Sequence, residues 1–327
     1  MSDYRHESRS TDNHARGLPM RMLAIVLIVV GSTLLLAWIV GRICSDRWTW
    51  SQWLLWLPSL TLVPGFLLLA LGGWLLSLRR YAIITLCIAS TLGPVGELTA
   101  LWRPGELPIT TAASLRILHW TAGPQMRSTA LLLNAIERAQ PDVIVVLGAR
   151  RAAGGKSLAQ WGVVPGPMPR GEFMIFSRIP VVSCRSLARS DDIQLVQLVV
   201  QPSGAKAVEC LLLDLPSDPA RNRWAIAQAT SALIGKTLRS TPSIVLGDLN
   251  MTQDSRAMRS ILPGWSTAWP AGGRGWGGTW PRRVPLWRID HVLVPPGDPA
   301  PRVTTFDPGA GRHRAQVIDL ALQPVPG

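Results

Sequence analysis

Charged residues and cysteines are both scarce in this 327-residue sequence, and each scarcity narrows what the protein can be. Charged side chains make up 16% of the chain, against about 25% in an ordinary soluble domain, so a chain that is soluble throughout is not expected. The four cysteines have no CxxC spacing, which argues against a cysteine-based metal site. Cys184 and Cys210 lie in predicted strands and could pair in an oxidising compartment, and the sequence leaves that question open.

The first hundred residues contain few charged side chains and several long apolar stretches. They are long enough to cross a bilayer, and little within them could form the polar face that a helix of a soluble domain needs. We therefore predict a membrane region at 22–101 that follows a disordered cytoplasmic tail at 1–21 and precedes a linker at 102–113. The three transmembrane helices are expected at about 22–41, 53–78 and 81–100.

The basic residues near these segments predict their orientation. Cytoplasmic loops carry an excess of Lys and Arg. With three spans, six arginines share the side of the N-terminus, which predicts a cytoplasmic N-terminus and an extracytoplasmic C-terminal domain. If the third segment, interrupted by Gly93, Pro94 and Glu97, is instead re-entrant, the domain is cytoplasmic. The six are Arg5, Arg9, Arg16, Arg21, Arg79 and Arg80.

The charge balance points to anionic partners. The chain has 33 basic and 20 acidic residues and a net charge of +13, most of it in residues 114–327. A basic domain is suited to nucleic acid, phosphorylated small molecules or lipid head groups. The other interpretation is a soluble, arginine-rich surface without such a partner.

Apolar runs of strand length dominate residues 114–327, with two helical segments among them. Many strands with few helices predict an α/β (α+β) sandwich of two sheets with outer helices. The predicted helices are 126–139 and 219–238, and the predicted strands are 115–120, 143–147, 171–178, 180–186, 193–200, 207–213, 243–248, 287–293 and 315–322.

The stretch SIVLGDLNMT at 243–252 carries the clearest chemical signal. An apolar strand that stops at Gly247-Asp248 delivers a carboxylate to the rim of a sheet. Asp248 and Asn250 lie two positions apart, so in an extended segment their side chains face the same way. An acid that takes a proton beside an amide that donates to an anionic oxygen suits phosphate-ester chemistry. The alternative is a strand that merely ends in an Asx turn.

Three motifs together resemble the endonuclease/exonuclease/phosphatase family, which has the DNase I-like fold. Gly-Asp-Leu-Asn at 247–250 resembles its Gly-Asp-Phe-Asn signature, Arg288-Ile289-Asp290-His291 resembles its Arg-Ile-Asp-Tyr/His strand, and His313 falls where the family has its C-terminal Ser-Asp-His. The strand GEFMIFSR at 171–178 is similar to another family segment. The resemblance covers about residues 114–327, where it implies a DNase I-like two-sheet sandwich, and it says nothing about the N-terminal third. The predicted architecture is therefore N-terminal transmembrane helices, expected from the apolar segments alone, followed by this sandwich.

The resemblance implies metal-assisted hydrolysis of a phosphodiester or phosphomonoester, with Mg²⁺ or Mn²⁺ as the cofactor. By this likeness Asp248 activates water and Asn250 contacts the phosphate. Asp290 orients His313 and keeps its imidazole protonated toward a phosphoryl oxygen.

Several positions depart from the family pattern. Thr121 stands where the family has Asn, and Ala149 where it has the Glu that is its principal metal ligand. Asp214 replaces a His, and Arg312 replaces a second acidic ligand beside the final His. Asp214 or Glu172 could supply an oxygen from a new direction, or Arg312 could take the place of the cation and bind phosphate directly. Asp214 and Arg312 are therefore the predicted substrate-binding residues, and no metal ligand is assigned.

The loop at 263–285 interleaves tryptophans with arginines, Trp265, Trp269, Trp276 and Trp280 with Arg274, Arg282 and Arg283. Aromatic faces with Arg can stack bases or sugars. Alternatively, the tryptophans fill the space beneath a long glycine-containing loop.

The sequence thus predicts an integral membrane protein with an endonuclease/exonuclease/phosphatase-like domain at 114–327. The leading hypothesis is a phosphoester hydrolase with eroded metal ligands. The alternative is a non-catalytic module, a pseudoenzyme, that binds phosphate-bearing or polyanionic ligands at the membrane surface, where its charge adds affinity for acidic lipid. Nucleic acid stays open as a partner, and the substrate is not determined because this fold carries many.

Overall fold

The structure is a computed structural model that describes residues 4–104, 114–124, 129–148, 162–163 and 173–324. Its chain forms two compact units. The first is helical and comprises Met1–Ser45 and Trp50–Ala100. The second comprises Asp46–Thr49 and Leu101–Gly327.

Four helices make up the N-terminal part of the chain, and two of them are candidate spans. By length and composition, Leu18–Cys44 of the first helix and the whole fourth helix could each cross a membrane. Between them lies a bent pair of helical segments, Thr49–Leu55 and Ser59–Leu75, and if this bent pair is one span the number of spans rises to three. The helices are α1 Tyr4–Cys44, α2 Thr49–Leu55, α3 Leu62–Leu75, which follows a 3₁₀ turn at Ser59–Thr61, and α4 Arg79–Leu101.

The break in these segments lies elsewhere than the sequence suggests. The third segment is one unbroken helix, α4, although Pro94 lies inside it. The second segment bends by 78° between Leu55 and Ser59. Pro58 is extended there, and the Glu97 carboxylate accepts a hydrogen bond of 3.0 Å from the Ser59 N–H. Glu97 therefore provides an acceptor for a backbone N–H group at a helix start, which would otherwise have no partner in apolar surroundings. It does not interrupt its own helix, α4.

Two predicted boundaries also differ. The expected disordered tail at 1–21 is helical from Tyr4, because α1 continues without a break through Pro19 into the apolar segment. The expected linker at 102–113 begins with a short strand at Trp102–Arg103. Residues 105–113 lie outside the described residues.

The second unit contains fourteen strands and four further helices among its described residues. The helices are α5 Thr129–Ala139, α6 Arg223–Thr237, α7 Arg256–Ile261 and α8 Trp269–Gly272. The strands are β1 Trp102–Arg103, β2 Ser114–Thr121, β3 Val143–Leu147, β4 Gly162–Val163, β5 Phe173–Ser177, β6 Val181–Ser190, β7 Ile193–Val200, β8 Val208–Asp214, β9 Ile244–Asp248, β10 Ser266–Thr267, β11 Gly273–Trp276, β12 Asp290–Val294, β13 Arg302–Phe306 and β14 Ala315–Ala321.

These strands form two mixed sheets that pack face to face. One has eight strands in the order β1-β11-β13-β14-β2-β3-β5-β4, and the other has six in the order β10-β12-β9-β8-β7-β6. Alternate residues of both inner faces build the central core, for example Ile117 and Val145 against Leu198 and Leu212. Helix α5 covers the outer face of the first sheet, and α6 and α7 cover the second. The predicted two-sheet sandwich with outer helices is confirmed.

The two cysteines of the sandwich do not pair. Cys184 on β6 and Cys210 on β8 are both register partners of Leu198 on β7, so a whole strand separates them. Two strand spacings amount to about 10 Å, beyond the roughly 7 Å between Cα atoms that a disulfide tolerates. Both are free thiols, so the pairing that the sequence left open does not occur in this structure.

Candidate functional site

The polar residues that the sequence singled out gather at one rim of the sandwich. Strand β9 ends at Asp248, which is the register partner of Asp290 at the start of β12 and of Asp214 at the end of β8. Strand β2 ends at Thr121 at the same rim, and His313 lies just before β14. Apolar strands that end or begin at these residues therefore bring three carboxylates and a histidine together, and we call this end the catalytic rim after the role that we propose for it.

Gly247 is required by the local packing of β9. A Cβ built there would lie 1.8 Å from the Leu213 carbonyl oxygen of the neighbouring strand. Any other residue would push β8 and β9 apart and displace Asp214 from Asp248. The glycine of the Gly-Asp motif thus lets two acid-bearing strands approach closely.

Asp290 is the centre of the hydrogen bonds at the rim. The Thr121 hydroxyl donates to one of its carboxylate oxygens at 2.6 Å, and the other lies 2.8 Å from Nδ1 of His313. Although burial opposes it, His313 holds the pKa of Asp290 well below its ordinary value. Asp290 is therefore a fixed negative charge that orients the imidazole.

His313 is charged at neutral pH. Burial alone would lower its pKa, but the carboxylates of Asp290 and Asp248 outweigh burial and raise the pKa to about 9. Its Nε2 lies 3.8 Å from an Asp248 oxygen. An imidazolium held by Asp290 and aimed past Asp248 is a hydrogen-bond donor for an anionic oxygen.

Asp248 can accept a proton near neutral pH. Burial, together with the charge of Asp290, raises its pKa to about 7. One carboxylate oxygen accepts a hydrogen bond of 3.1 Å from the Asn250 N–H. A general base works best when its pKa lies near the working pH.

Asn250 has a structural contact that the sequence did not reveal. Its side-chain amide donates to the Leu215 carbonyl at 2.9 Å, and its φ of 50° is left-handed, which Asn tolerates better than most residues. The side chain thereby ties the turn after β9 to the end of β8. Its predicted phosphate contact stays a prediction.

Asp214 and Arg312 both border this cluster. Burial and then the charges of Asp248 and Asp290 raise the pKa of Asp214 to about 8. Arg312 is exposed, runs beside Gly123 just after β2, and opposes the charge on His313. Among the described residues no ion pair joins Arg312 to Asp248. The remaining predicted positions, Ala149 and Glu172, lie outside the described residues.

The donor set fits a divalent cation by its charge. Ligand atoms of Asp248, Asp290 and His313 lie within 4.8 Å of one another. Asp290 and His313 already bond to each other, so Asp248 is the member with coordinating capacity to spare. Burial first, and then the charges of neighbouring carboxylates, raise the pKa values of Asp248 and Asp214. A hard cation with oxygen ligands would neutralise those carboxylates.

A buried polar network behind Asp290 was not predicted. The Arg288 guanidinium donates to the Gln316 side chain at 2.5 Å and to the Gly277 carbonyl at 2.9 Å, and it lies 4.5 Å from the centre of the Trp269 ring. Gln316 in turn contacts His119, whose pKa burial lowers to about 4. The sequence feature that could have indicated this network is His119, a polar residue within the otherwise apolar strand β2.

The tryptophan-rich loop contributes a hairpin to the rim. We call residues 279–288 the rim hairpin. Trp280 packs against Trp287 with ring centres 5.3 Å apart. The Thr279 hydroxyl accepts hydrogen bonds of 3.2 Å from the N–H groups of Ile289 and Asp290. Trp269 is fully buried, and these contacts favour the structural interpretation of the tryptophans.

The rim hairpin also holds the segment that carries His313. The Arg282 N–H donates to the Arg312 carbonyl at 2.8 Å, and the Arg314 N–H donates to the Thr279 carbonyl at 2.8 Å. The Arg282 guanidinium pairs with Asp307 at 2.7 and 3.0 Å. The hairpin therefore positions both Asp290 and His313.

Comparisons with known proteins identify a family for the sequence and related folds for the structure. The model of the endonuclease/exonuclease/phosphatase family matches residues 122–314. No curated protein matches the sequence.

Two of the similar solved structures, with TM-scores of 0.51 and 0.50, share the fold at low identity. A conserved protein of unknown function from Enterococcus faecalis V583 has a TM-score of 0.51 at 10% identity, covering 64% of this chain and 100% of its own. The mannosyl-6-phosphatase Bt3783 of Bacteroides thetaiotaomicron VPI-5482 has a TM-score of 0.50 at 13% identity, with coverage of 64% and 100%. An endonuclease/exonuclease/phosphatase from Beutenbergia cavernae DSM 12333 is 18% identical, with a TM-score of 0.47 and coverage of 64% and 72%.

Proposed function

This chain belongs to the endonuclease/exonuclease/phosphatase family, and from that premise we propose that it is a divalent-metal-dependent phosphoester hydrolase anchored in a membrane. The observation that carries the proposal is the buried arrangement of Asp248, Asp290 and His313, with a carboxylate that titrates near pH 7 beside an imidazolium.

Each residue of the rim has a separate role in the proposed reaction. Asp248 takes the proton of the attacking water. His313 donates to a phosphoryl oxygen as negative charge develops there, and Asp290 fixes the ring and its charge. Thr121 holds Asp290 through its 2.6 Å hydrogen bond, which assigns the departure from the family's Asn to a positioning role.

The substrate phosphate and the metal have different proposed partners. The exposed Arg312 binds phosphate with its planar donor fork, and Asn250 assists if its amide turns from Leu215. When bound, Mg²⁺ or Mn²⁺ supplies Lewis-acid polarisation of a phosphoryl oxygen, and Asp248 and Asp214 are the residues that would hold it.

Hydrolysis by the full chain in detergent tests this function. We would assay a generic phosphomonoester and a generic phosphodiester with Mg²⁺, with Mn²⁺ and with chelator, against Asp248→Ala. Turnover that needs metal and disappears in the variant supports the proposal. Turnover no higher than that of Asp248→Ala for both esters contradicts it.

A second candidate is a non-catalytic module for phosphate-bearing or polyanionic ligands, nucleic acid among them. It is favoured by one observation, the cationic Arg312 at a position where the family has an acid. Binding of inorganic phosphate that needs Arg312 but neither metal nor turnover would support this candidate.

We propose that the two long apolar helices and the bent pair together cross the bilayer three times, with the N-terminus in the cytoplasm. That count places the domain outside the cytoplasm. If the bent pair is instead re-entrant, two crossings remain and the domain is cytoplasmic. A reporter fused after Gly327 that is active only in the cytoplasm would contradict the three-crossing arrangement.

A further inference from the structure

The catalytic rim lies at a defined end of the eight-stranded sheet. Strand β11 is parallel to β13, β13 is antiparallel to β14, and β14 is antiparallel to β2. Hence β11 and β2 run in the same direction and end at the same rim. The end of β2 carries Thr121, which bonds Asp290, so β11 also leads toward the catalytic rim.

The chain enters the domain at this same rim. Helix α4, a candidate span, ends at Leu101, whose carbonyl accepts a hydrogen bond of 2.7 Å from the Gly277 N–H just after β11. Strand β1 then runs antiparallel to β11, with Trp102 opposite Trp276. An extended residue spans at most about 3.5 Å, so chain connectivity alone keeps Trp102 close to the end of the candidate span.

The rim hairpin lies between that entry point and the catalytic histidine. It begins two residues after Gly277, and Nε1 of Trp276 donates to the Pro285 carbonyl at 2.7 Å. At its other side, Arg282 bonds the backbone beside His313. Three strand spacings, roughly 15 Å, separate β11 from β2, and the hairpin covers this interval.

The exposed surface of the hairpin combines apolar and basic groups. Val284 is 60% exposed and Trp102 is 45% exposed, both unusually high for large apolar residues of the sandwich. Arg283, the neighbour of Val284 in sequence, is exposed, and so is Arg312, whose carbonyl accepts a hydrogen bond from the Arg282 N–H of the hairpin. Tryptophan, arginine and a projecting aliphatic side chain are the groups that settle at the boundary between lipid head groups and acyl chains.

We propose that the rim hairpin and Trp102 rest on the head-group layer of a membrane containing anionic lipid, so that the catalytic rim opens onto that layer and its substrates are phosphate esters carried on lipids. This rests on the proposed function, because it takes the apolar helices as spans and the rim as hydrolytic. We choose lipid as the partner of this surface because of charge complementarity, since its exposed arginines would contact negatively charged head groups.

Fluorescence quenching in nanodiscs tests the docking. The full chain, with its four native cysteines replaced by alanine, would carry a bimane label at Val284→Cys or at Val182→Cys. Val182 is 62% exposed and lies on β6, at the other end of the six-stranded sheet from β10, which makes it a matched control. Head-group nitroxide lipids should quench the label at 284 and not at 182.

Equal quenching at the two positions, or none at 284, would overturn the docking. If the alanine background does not fold, hydrogen exchange of the unmodified chain in nanodiscs decides instead. Residues 279–288 should then gain protection when anionic lipid replaces neutral lipid, while 181–190 should not. If the hydrogen-exchange protection of residues 279–288 does not change, the docking proposal is overturned as well.

Hydrolysis of two esters tests the substrate class. Arg283→Glu should slow hydrolysis of a lipid-borne phosphate ester about fivefold or more, since one basic residue near an anionic surface contributes about 1 kcal/mol. It should leave a soluble ester unaffected. Arg239→Glu, an exposed arginine beyond α6, is the control and should change neither rate.

The failures of the two proposals are distinguishable. A wild-type chain that hydrolyses neither ester contradicts the proposed function, while quenching at 284 still reports docking. A wild-type chain that hydrolyses the soluble ester but prefers it to the lipid-borne one, or an Arg283→Glu variant that slows both esters alike, overturns the substrate class alone.

Discussion

The two rims of the sandwich hold different kinds of charge. At the catalytic rim, Asp248, Asp290 and His313 are all buried and within reach of one another. At the opposite rim, Arg116 and Asp319 form a 2.6 Å ion pair that is partly exposed, beside a depression of about 790 Å³. This depression therefore lies away from the buried acids and histidine of the catalytic rim.

The difference follows from what surrounds the charges. Buried groups interact through a medium of low dielectric constant, so neighbouring carboxylates move each other's pKa values far from their ordinary range. Water partly screens the Arg116–Asp319 pair, because the arginine side chain is 43% exposed, so this pair contributes little. The capacity of a rim for acid–base chemistry thus depends on the burial of its charged groups rather than on the volume of a nearby cavity.

Neutralising one aspartate at each rim should give the largest contrast. Asp248→Asn removes the proposed base and should lower kcat/KM by about 10²–10⁴-fold. Asp319→Asn removes only a screened partner and should leave kcat/KM unchanged within error. Steady-state hydrolysis by the two variants measures both, and comparable losses would erase the distinction between the rims.

The pH profile should reveal the coupling at the catalytic rim. His313 must be protonated to donate, and its pKa is raised to about 9, so kcat/KM should decline only as the pH rises through that value. Asp290→Asn removes the main charge that raises this pKa, and the alkaline decline should move to lower pH. A decline at the same pH in both proteins would show that another group titrates.

The buried acids should make the catalytic rim unstable without metal. The pKa of Asp248 is raised from 3.8 to about 7, so the folded state holds a proton that the unfolded state releases, and stability is lost as the pH rises from about 4 through 7. In chelator at pH 8, Asp248→Asn should therefore gain roughly 1–2 kcal/mol, a usual size for relieving strain at a site.

Thermal unfolding in detergent measures this gain, which should vanish below pH 4. Added Mg²⁺ should raise the midpoint of the wild type more than that of Asp248→Asn. Identical responses of the two proteins to Mg²⁺ would place the metal elsewhere.

A smaller change should follow from loosening the rim hairpin. Thr279→Val leaves the buried N–H groups of Ile289 and Asp290 without an acceptor, which should cost about 1–3 kcal/mol of unfolding free energy. Thr304→Val, at a half-buried position on β13, is the control. Denaturant unfolding compares the two, and kcat should fall in the first variant only.

No change is expected from reduction. Because β7 separates Cys184 from Cys210, a reductant should leave the thermal midpoint and the hydrolysis rate unaltered. A midpoint that drops in reductant would contradict the strand order.

Much of the fold could be predicted because its strands are short apolar runs bounded by turn residues. Val143–Leu147 and Ile193–Val200 match their strands residue for residue. Strand β13 was missed because Arg302–Phe306 is largely polar, and it is defined by pairing with β14 rather than by its own pattern. The bend at Pro58 was missed because its stabilising partner, Glu97, is distant in sequence.

The sequence by itself determined the family, the apolar helices and the identity of Asp248, Asn250, Asp290 and His313 as the residues to examine, since local patterns and motifs record them. Only the tertiary structure decided that Asp214 lies opposite Asp248 in the sheet, that Thr121 holds Asp290, and that the chain enters the domain at the catalytic rim. These depend on strand order, register and burial, which bring distant residues together and set their charges, and no local segment of the chain contains that information.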